Sequence, residues 1–413
     1  MTPIPATPIA SRIPVLLAVF GWLLATGGVA RADSHPFASH RQPHAAGILE
    51  LGVGTAAADA ATAAHYRHWK QRYLVPGCDA GDYRVKAGTA QAHTVSEGQG
   101  YGMLITVMMA GHDPEARMLF DGLHRYNRRH PSDGDPALLA WAQGADCRNV
   151  AGASSATDGD LDIAYALLLA DLQWGSDGGI AYADEARRVL AAICRRNVHL
   201  SSRLLNLGDW VRADSPKYGA ATRSSDWMVG HFRAFASRHD ECDWAAIAQA
   251  HQALIARMQH GFAPDTGLLP DFVVDSDTDP RPAPPHFLEA ATDGDYAWNA
   301  GRVPWRIGLD AALSGDARSR EAALRLSRWI RVQSGGDPAR IRAGYRLDGR
   351  ALSDGHAIFF VAPFAVAALV DPEAQAWLDA LWAHLDGTGP TDYYGDSVRL
   401  LSMLAVSRNW LQP

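Results

Sequence analysis

Residues 156–174 read ATDGDLDIAYALLLADLQW, three carboxylates (Asp158, Asp160 and Asp162) opening a segment that is otherwise almost wholly apolar. Between Leu161 and Leu172 apolar side chains fall nearly all round a helix, the pattern of an inner, fully buried helix. Charges at the mouth of such a helix are costly unless they are paired or used. The cluster is therefore a candidate for chemistry or for holding a polar ligand. Other segments carry only one apolar stripe: Ala116, Leu119, Phe120, Leu123; Ala186, Val189, Leu190, Ile193; and Ala374, Trp377, Leu378, Leu381 follow the i, i+3, i+4, i+7 spacing of an amphipathic helix. Strand patterns hardly occur. Outer amphipathic helices alternating with inner apolar ones predict an all-α toroid of helical hairpins.

The chain has 413 residues, 47% hydrophobic and 9% aromatic, enough to bury a large core. Residues 1–32 read as a secretory signal peptide: Arg12 precedes an apolar run from Ile13 to Ala25, and Ala30-Arg31-Ala32 is a small-x-small cleavage pattern. The run is shorter than the ~20 apolar residues of a membrane span. A secreted or periplasmic protein with no stable membrane association is expected. Without Arg12 and Arg31 the remaining chain has 36 basic and 45 acidic side chains, a formal charge of −9. That balance argues against nucleic acid as a partner. Cys78, Cys147, Cys194 and Cys242 lack metal-ligand spacing, and three pairings stay open. Connectors at 131–136, 212–225 and 264–304 are long for a compact domain, which marks them as functional.

Asp158-x-Asp160-x-Asp162 is not a calcium loop, because Ile163 and Leu169 occupy the places of the required Gly and Glu. Asp275-x-Asp277-x-Asp279 fails likewise, with Pro280 and His286, and reads as a solvated acidic loop. In Val95-Ser96-Glu97-Gly98-Gln99-Gly100-Tyr101-Gly102 a carboxylate follows Ser96, a candidate N-cap. No βαβ unit or Walker lysine accompanies these glycines, so a phosphate loop is excluded. Small residues around Glu97 are expected to let a bulky ligand come close.

These segments, with Trp298-Asn299-Ala300-Gly301-Arg302-Val303-Pro304-Trp305-Arg306, resemble glycoside hydrolase family 8. The Asp158 segment matches the family signature through Trp174. Trp141 in LLAWAQ, Ser225-Asp226-Trp227 and Tyr393-Tyr394-Gly395-Asp396-Ser397 extend the resemblance from about residue 45 to the end. It implies an (α/α)6 barrel, a single catalytic domain at 33–413 and metal-independent, cofactor-free hydrolysis with inversion, in which two carboxyls flank the scissile bond about 6.5–9.5 Å apart. By resemblance Glu97 is the general acid and Asp158 grips and distorts the sugar; Asp160 and Asp162 are read as structural, hydrogen-bonding the loop and the helix start. Many members have Asp as base where this chain has Asn299, and an amide cannot take a proton from water. The branch with such an Asn uses a glutamate from a preceding loop, which makes Glu289 the expected base, with Asp293 and Asp295 behind it.

Trp141, Trp227, Trp298 and Tyr394 are candidate sugar platforms, since pyranose C–H faces pack on aromatic rings. Asp226, Asn299 and Arg302 complete the expected substrate-binding set; Arg302 could equally hold a catalytic carboxylate ionised. From Asp271 to Asp295 seven acids face one Arg, which would suit chitosan. A β-1,4/1,3-glucan or cellulose fits nearly as well. The expectation is a monomeric inverting endo-glycosidase acting on a β-1,4-linked polysaccharide. The alternatives are a catalytically impaired polysaccharide-binding protein, suggested by Asn299, and a cellulase attached to cellulose biosynthesis.

Overall fold

Twelve α-helices, with strands of only two or three residues between them, organise the described part of the chain. The computed structural model describes residues 33–88 and 92–413, so the leader read at 1–32 lies outside the described residues. In order the helices are α1 Thr55–Tyr73, α2 Ser96–Met108, α3 Ala116–Arg129, α4 Thr157–Trp174, α5 Tyr182–Arg196, α6 Val229–Ala236, α7 Trp244–Phe262, α8 Val303–Ser314, α9 Ala317–Gln333, α10 Ile358–Ala368, α11 Gln375–Gly387 and α12 Tyr393–Val406.

The even-numbered helices form a closed inner ring: α2 packs on α4, α4 on α6, α6 on α8, α8 on α10, α10 on α12, and α12 returns to α2. Each odd-numbered helix backs one of them from outside: α3 on α2, α5 on α4, α7 on α6, α9 on α8, α11 on α10 and α1 on α12. This is an (α/α)6 barrel. The apolar patterns explain who stands where. Along α4 and α12 nearly every residue is buried, and along α10 all are. α3, α5 and α11 bury the stripes read in the sequence and expose charged residues on the opposite face.

Because outer and inner helices alternate in direction, the inner helices all run the same way and their N-termini gather at one end. Glycines set how closely they do so. A Cβ on Gly159 of α4 would stand 2.6 Å from the carbonyl carbon of Ser96 in α2, and one on Gly100 would stand 2.8 Å from the Cβ of Asp162. The small residues around Glu97 thus serve helix-to-helix contact rather than the approach of a ligand. Ser96 is also not the cap: α2 begins at Ser96, and the N-cap is Val95, which makes no side-chain cap bond.

Deeper in the barrel Asp162 is fully buried, accepting from Arg306 at 3.0 and 2.6 Å and pairing with His231 at 2.9 Å. Burial alone would raise its carboxyl, but Arg306 and His231 outweigh it and hold it down at about 2. Asp160 accepts the Leu139 N–H at 3.1 Å and anchors the connector before Trp141, its carboxyl kept well above the usual range by burial. Both aspartates are framework. Cys78 pairs with Cys147 and Cys194 with Cys242. Among the described residues no helix is long and apolar enough to cross a membrane.

Gly159→Ala forces α2 and α4 apart at their closest point. The expected cost is about 1–3 kcal/mol, read as a lower urea midpoint with an unchanged slope.

Candidate active site

A cleft of about 480 Å³ opens where the inner helices begin, lined among others by Glu97, Trp141, Asp158, Trp210, Arg223, Asp226, Glu289 and Asn299. Glu97 lies in the first turn of α2 and Asp158 in the first turn of α4. Both carboxylates meet Arg302, the N-cap of α8: its Nη1 stands 2.9 Å from Glu97 Oε2, 2.9 Å from Asp158 Oδ2 and 2.9 Å from the Tyr101 hydroxyl. Arg302 Nη2 donates to Ser225 Oγ at 2.8 Å, and Ser225 in turn donates to Asp226 Oδ1 at 2.9 Å. The Tyr393 hydroxyl, at the start of α12, donates to Glu97 Oε1 at 3.0 Å.

This arrangement fixes protonation. Burial pushes the Glu97 carboxyl up, Arg302 pulls it down and the Asp158 charge pushes it up again, leaving it at about 7. Asp226 is likewise raised to about 7, by burial first and then by Asp158, against the pull of Arg302 and Arg223. The end of the barrel therefore retains protons near neutrality on carboxyls that face the cleft.

Glu289 lines the same cleft, brought there by the 264–304 connector. Its Oε2 accepts from Arg223 Nη2 at 2.8 Å, and its side chain is 44% exposed. Arg223 is itself pinned by Asp271 through two bonds of 3.0 Å and lies over the Phe272 ring at 4.4 Å. A small three-stranded sheet, Thr222–Arg223 with Phe272–Val274 with Arg281–Pro282, carries this group. Trp141 reaches the cleft because Ser96 N–H donates to its carbonyl at 2.8 Å, tying its backbone to the start of α2. Asn299 lines the cleft, and its Oδ1 accepts from the Tyr394 hydroxyl at 3.3 Å.

Four expectations are corrected. Trp227 is not a platform: it is 1% exposed, and its Nε1 donates to Thr222 Oγ1 in the core. Arg302 offers nothing to a sugar, since none of its surface is exposed and its donors are taken by protein groups. Asp293 is no base, being buried with its carboxylate turned onto the N–H groups of Leu288, Glu289 and Ala290. Asp295 lies outside the cleft lining. Sequence reasoning missed Arg223, Asp271, Tyr101, the Tyr393 hydroxyl and Trp210, which lines the cleft at 38% exposure with its ring edge-on to Tyr218. Arg223 does sit two residues before a recognised motif, but only the fold shows that it bridges Asp271 and Glu289.

An (α/α)6 barrel whose helix N-termini gather buried, partly protonated carboxyls around a cleft is the apparatus of a glycoside hydrolase. The chain belongs to glycosyl hydrolases family 8, which it matches over residues 44–408. The beta-glucanase of Niallia circulans is 39% identical over 397 residues, covering 96% of each chain. An endoglucanase of Bacillus sp. (strain KSM-330) is 37% identical over 358 residues, covering 84% of this chain and 76% of that one. The apo structure of a beta-1,3-1,4-glucanase from Paenibacillus sp. X4 superposes with a TM-score of 0.89 at 39% identity, over 92% of this chain and all of that one.

The sign of the pH dependence follows from Glu97. Its folded value of about 7 lies above its ordinary 4.5, so between those values the folded state binds the extra proton and stability falls as pH rises. Melting temperature measured across that window should decline, and Glu97→Gln should flatten the decline while leaving the share due to Asp226.

Proposed function

We propose that this enzyme is an exported, inverting endo-hydrolase of neutral β-glucans, mixed-linkage β-1,3-1,4-glucan foremost, with Glu97 as general acid and Glu289 as base. The observation that carries this reading is the division of labour in one cleft: a buried carboxyl raised to about 7 and, lining the same cleft, an exposed carboxylate held by an arginine. Glu97 gives its proton to the glycosidic oxygen as the C1–O bond breaks. Glu289 takes a proton from the water whose oxygen attacks C1 from the opposite face, and the β-linkage yields an α-configured product. Asp158, fixed by Arg302, grips the sugar at the cleavage point and favours its distorted ring. Asn299 stands where many family members have the base, and its oxygen is already engaged by Tyr394, so the proton has to go elsewhere.

Three lines support the neutral glucan over chitosan and over cellulose. The two relatives named above are a beta-glucanase and an endoglucanase, and the structure superposing with a TM-score of 0.89 is of a beta-1,3-1,4-glucanase. The acidity of the 271–295 stretch is largely consumed within the protein: Asp271 and Glu289 share Arg223, Asp275 pairs with Arg281, Asp279 pairs with Arg257, and Asp293 binds backbone. Little remains to attract a polycation. Export is supported by both cysteine pairs being bonded, as an oxidising compartment allows.

The decisive experiment is reducing-end release from lichenan, carboxymethylcellulose and soluble chitosan, with the product anomer followed by proton NMR. Lichenan should be cleaved fastest and the α-anomer should appear first. Glu97→Gln and Glu289→Gln should each lower kcat by at least ~10³-fold with binding retained. A near-normal rate for Glu289→Gln would refute the base assignment, and preference for chitosan would refute the substrate.

A further inference from the structure

We infer that Asp293, a residue that touches no substrate, is the positioning residue that builds the loop presenting Glu289. The inference rests on the reading of Glu289 as base. Asp293 is 2% exposed. Its Oδ2 accepts from Leu288 N–H at 2.7 Å and from Glu289 N–H at 3.0 Å, and its Oδ1 accepts from Ala290 N–H at 2.8 Å. Three successive backbone donors thus converge on one carboxylate, which makes the middle residue of the three, Glu289, the apex of a charge-assisted turn. The turn is closed from its other side by Asp293 N–H to Ala290 carbonyl at 3.3 Å and by His286 N–H to Ala290 carbonyl at 2.8 Å. Asp293 carbonyl in turn accepts from Phe272 N–H at 2.9 Å, fastening the turn to the strand that neighbours Arg223.

Glu289 is consequently held at both ends. Its backbone belongs to the Asp293 turn, and its carboxylate belongs to Arg223, which Asp271 pins in place. A base on a long connector has to be placed to within a fraction of an ångström to deprotonate one water, and a misplacement of about 1 Å can cost ~10²-fold. Losing the anion leaves three N–H donors without a common acceptor, and the turn that aims Glu289 relaxes. The first turns of α2 and α4, which carry Glu97 and Asp158, are untouched. The effect is therefore expected in kcat and not in KM.

The test is a double-mutant cycle on lichenan with Asp293→Asn, Glu289→Gln and the two combined. Asp293→Asn should lower kcat ~10–100-fold with KM within threefold, assayed well below a melting temperature that the lost bonds lower, and the double variant should be no slower than Glu289→Gln alone. Should Asp293→Asn fail to fold, Asp293→Ser, whose hydroxyl still accepts one N–H, is read by the same cycle. An Asp293 variant within twofold of the parent, or losses that multiply in the double variant, would overturn the inference while leaving Glu289 as base. A near-normal Glu289→Gln would instead remove the base assignment and this inference together.

Discussion

Arg302 is the charge around which the active end of the barrel is built. A fully buried guanidinium is tolerable only if its lost hydration is replaced by ion pairs and hydrogen bonds, and here Glu97, Asp158, Tyr101 and Ser225 supply them. They come from three separate parts of the chain, so the arginine also fixes how α2, α4 and the turn before α6 stand at the start of α8. The balance of charge is left deliberately short of cations. Arg302 and Arg223 face Glu97, Asp158, Asp226, Asp271 and Glu289. Burial pushes Glu97 and Asp226 up to about 7 and raises Asp271 as well, neighbouring carboxylates add to the push, and Arg302 and Arg223 offset only part of it.

The barrel places this cluster without special devices. Inner helices that all run one way bring their first turns to one end, and residues at or just before those turns, Glu97, Asp158, Asp226, Arg302 and Tyr393, become neighbours. Glycines let α2 and α4 approach until Glu97 and Asp158 share a single nitrogen of Arg302. The rest of the lining, Glu289 included, comes from the long connectors, and its order depends on local polar bonds rather than on helix packing. Glu97 and Glu289 are thus positioned by different physics: apolar burial for the first, carboxylate-to-backbone and arginine bonds for the second.

That difference explains what could be read in the sequence. Burial patterns are local and periodic, so the stripes of α3, α5 and α11 and the all-round apolarity of α4 marked outer and inner helices correctly. The segments carrying Glu97 and Asp158 stood out because a charge beginning an apolar helix is unusual. Pairings across long separations leave no such mark: Arg302 and Glu97 are 205 residues apart, and Arg223 and Glu289 are 66 apart. Trp227 illustrates the reverse error. It sits beside Asp226, which faces the cleft, yet the tight turn at Ser224–Asp226 sends the next side chain into the core. The glycines near Glu97 were legible as a demand for space, but not as space for another helix.

One relation between sequence spacing and chemistry is visible only with both in hand. Asp158 and Asp162 are four residues apart in α4, and Arg302 and Arg306 are four apart at α8, so the same acid–arginine pair recurs one helical turn deeper. The deeper copy is complete: Asp162 has both Arg306 nitrogens and His231, and its carboxyl is held at about 2. The outer copy is shared: Asp158 has one bond to an arginine nitrogen that Glu97 and Tyr101 also use. Identical residue types at identical spacing therefore yield an ionised strut in one layer and, in the next, an arginine shared with Glu97, whose carboxyl burial raises to about 7. Depth alone does not make the difference, since both layers are buried. What does is the number of acids each arginine must serve, and that number rises at the end of the barrel because the N-termini of the inner helices crowd there.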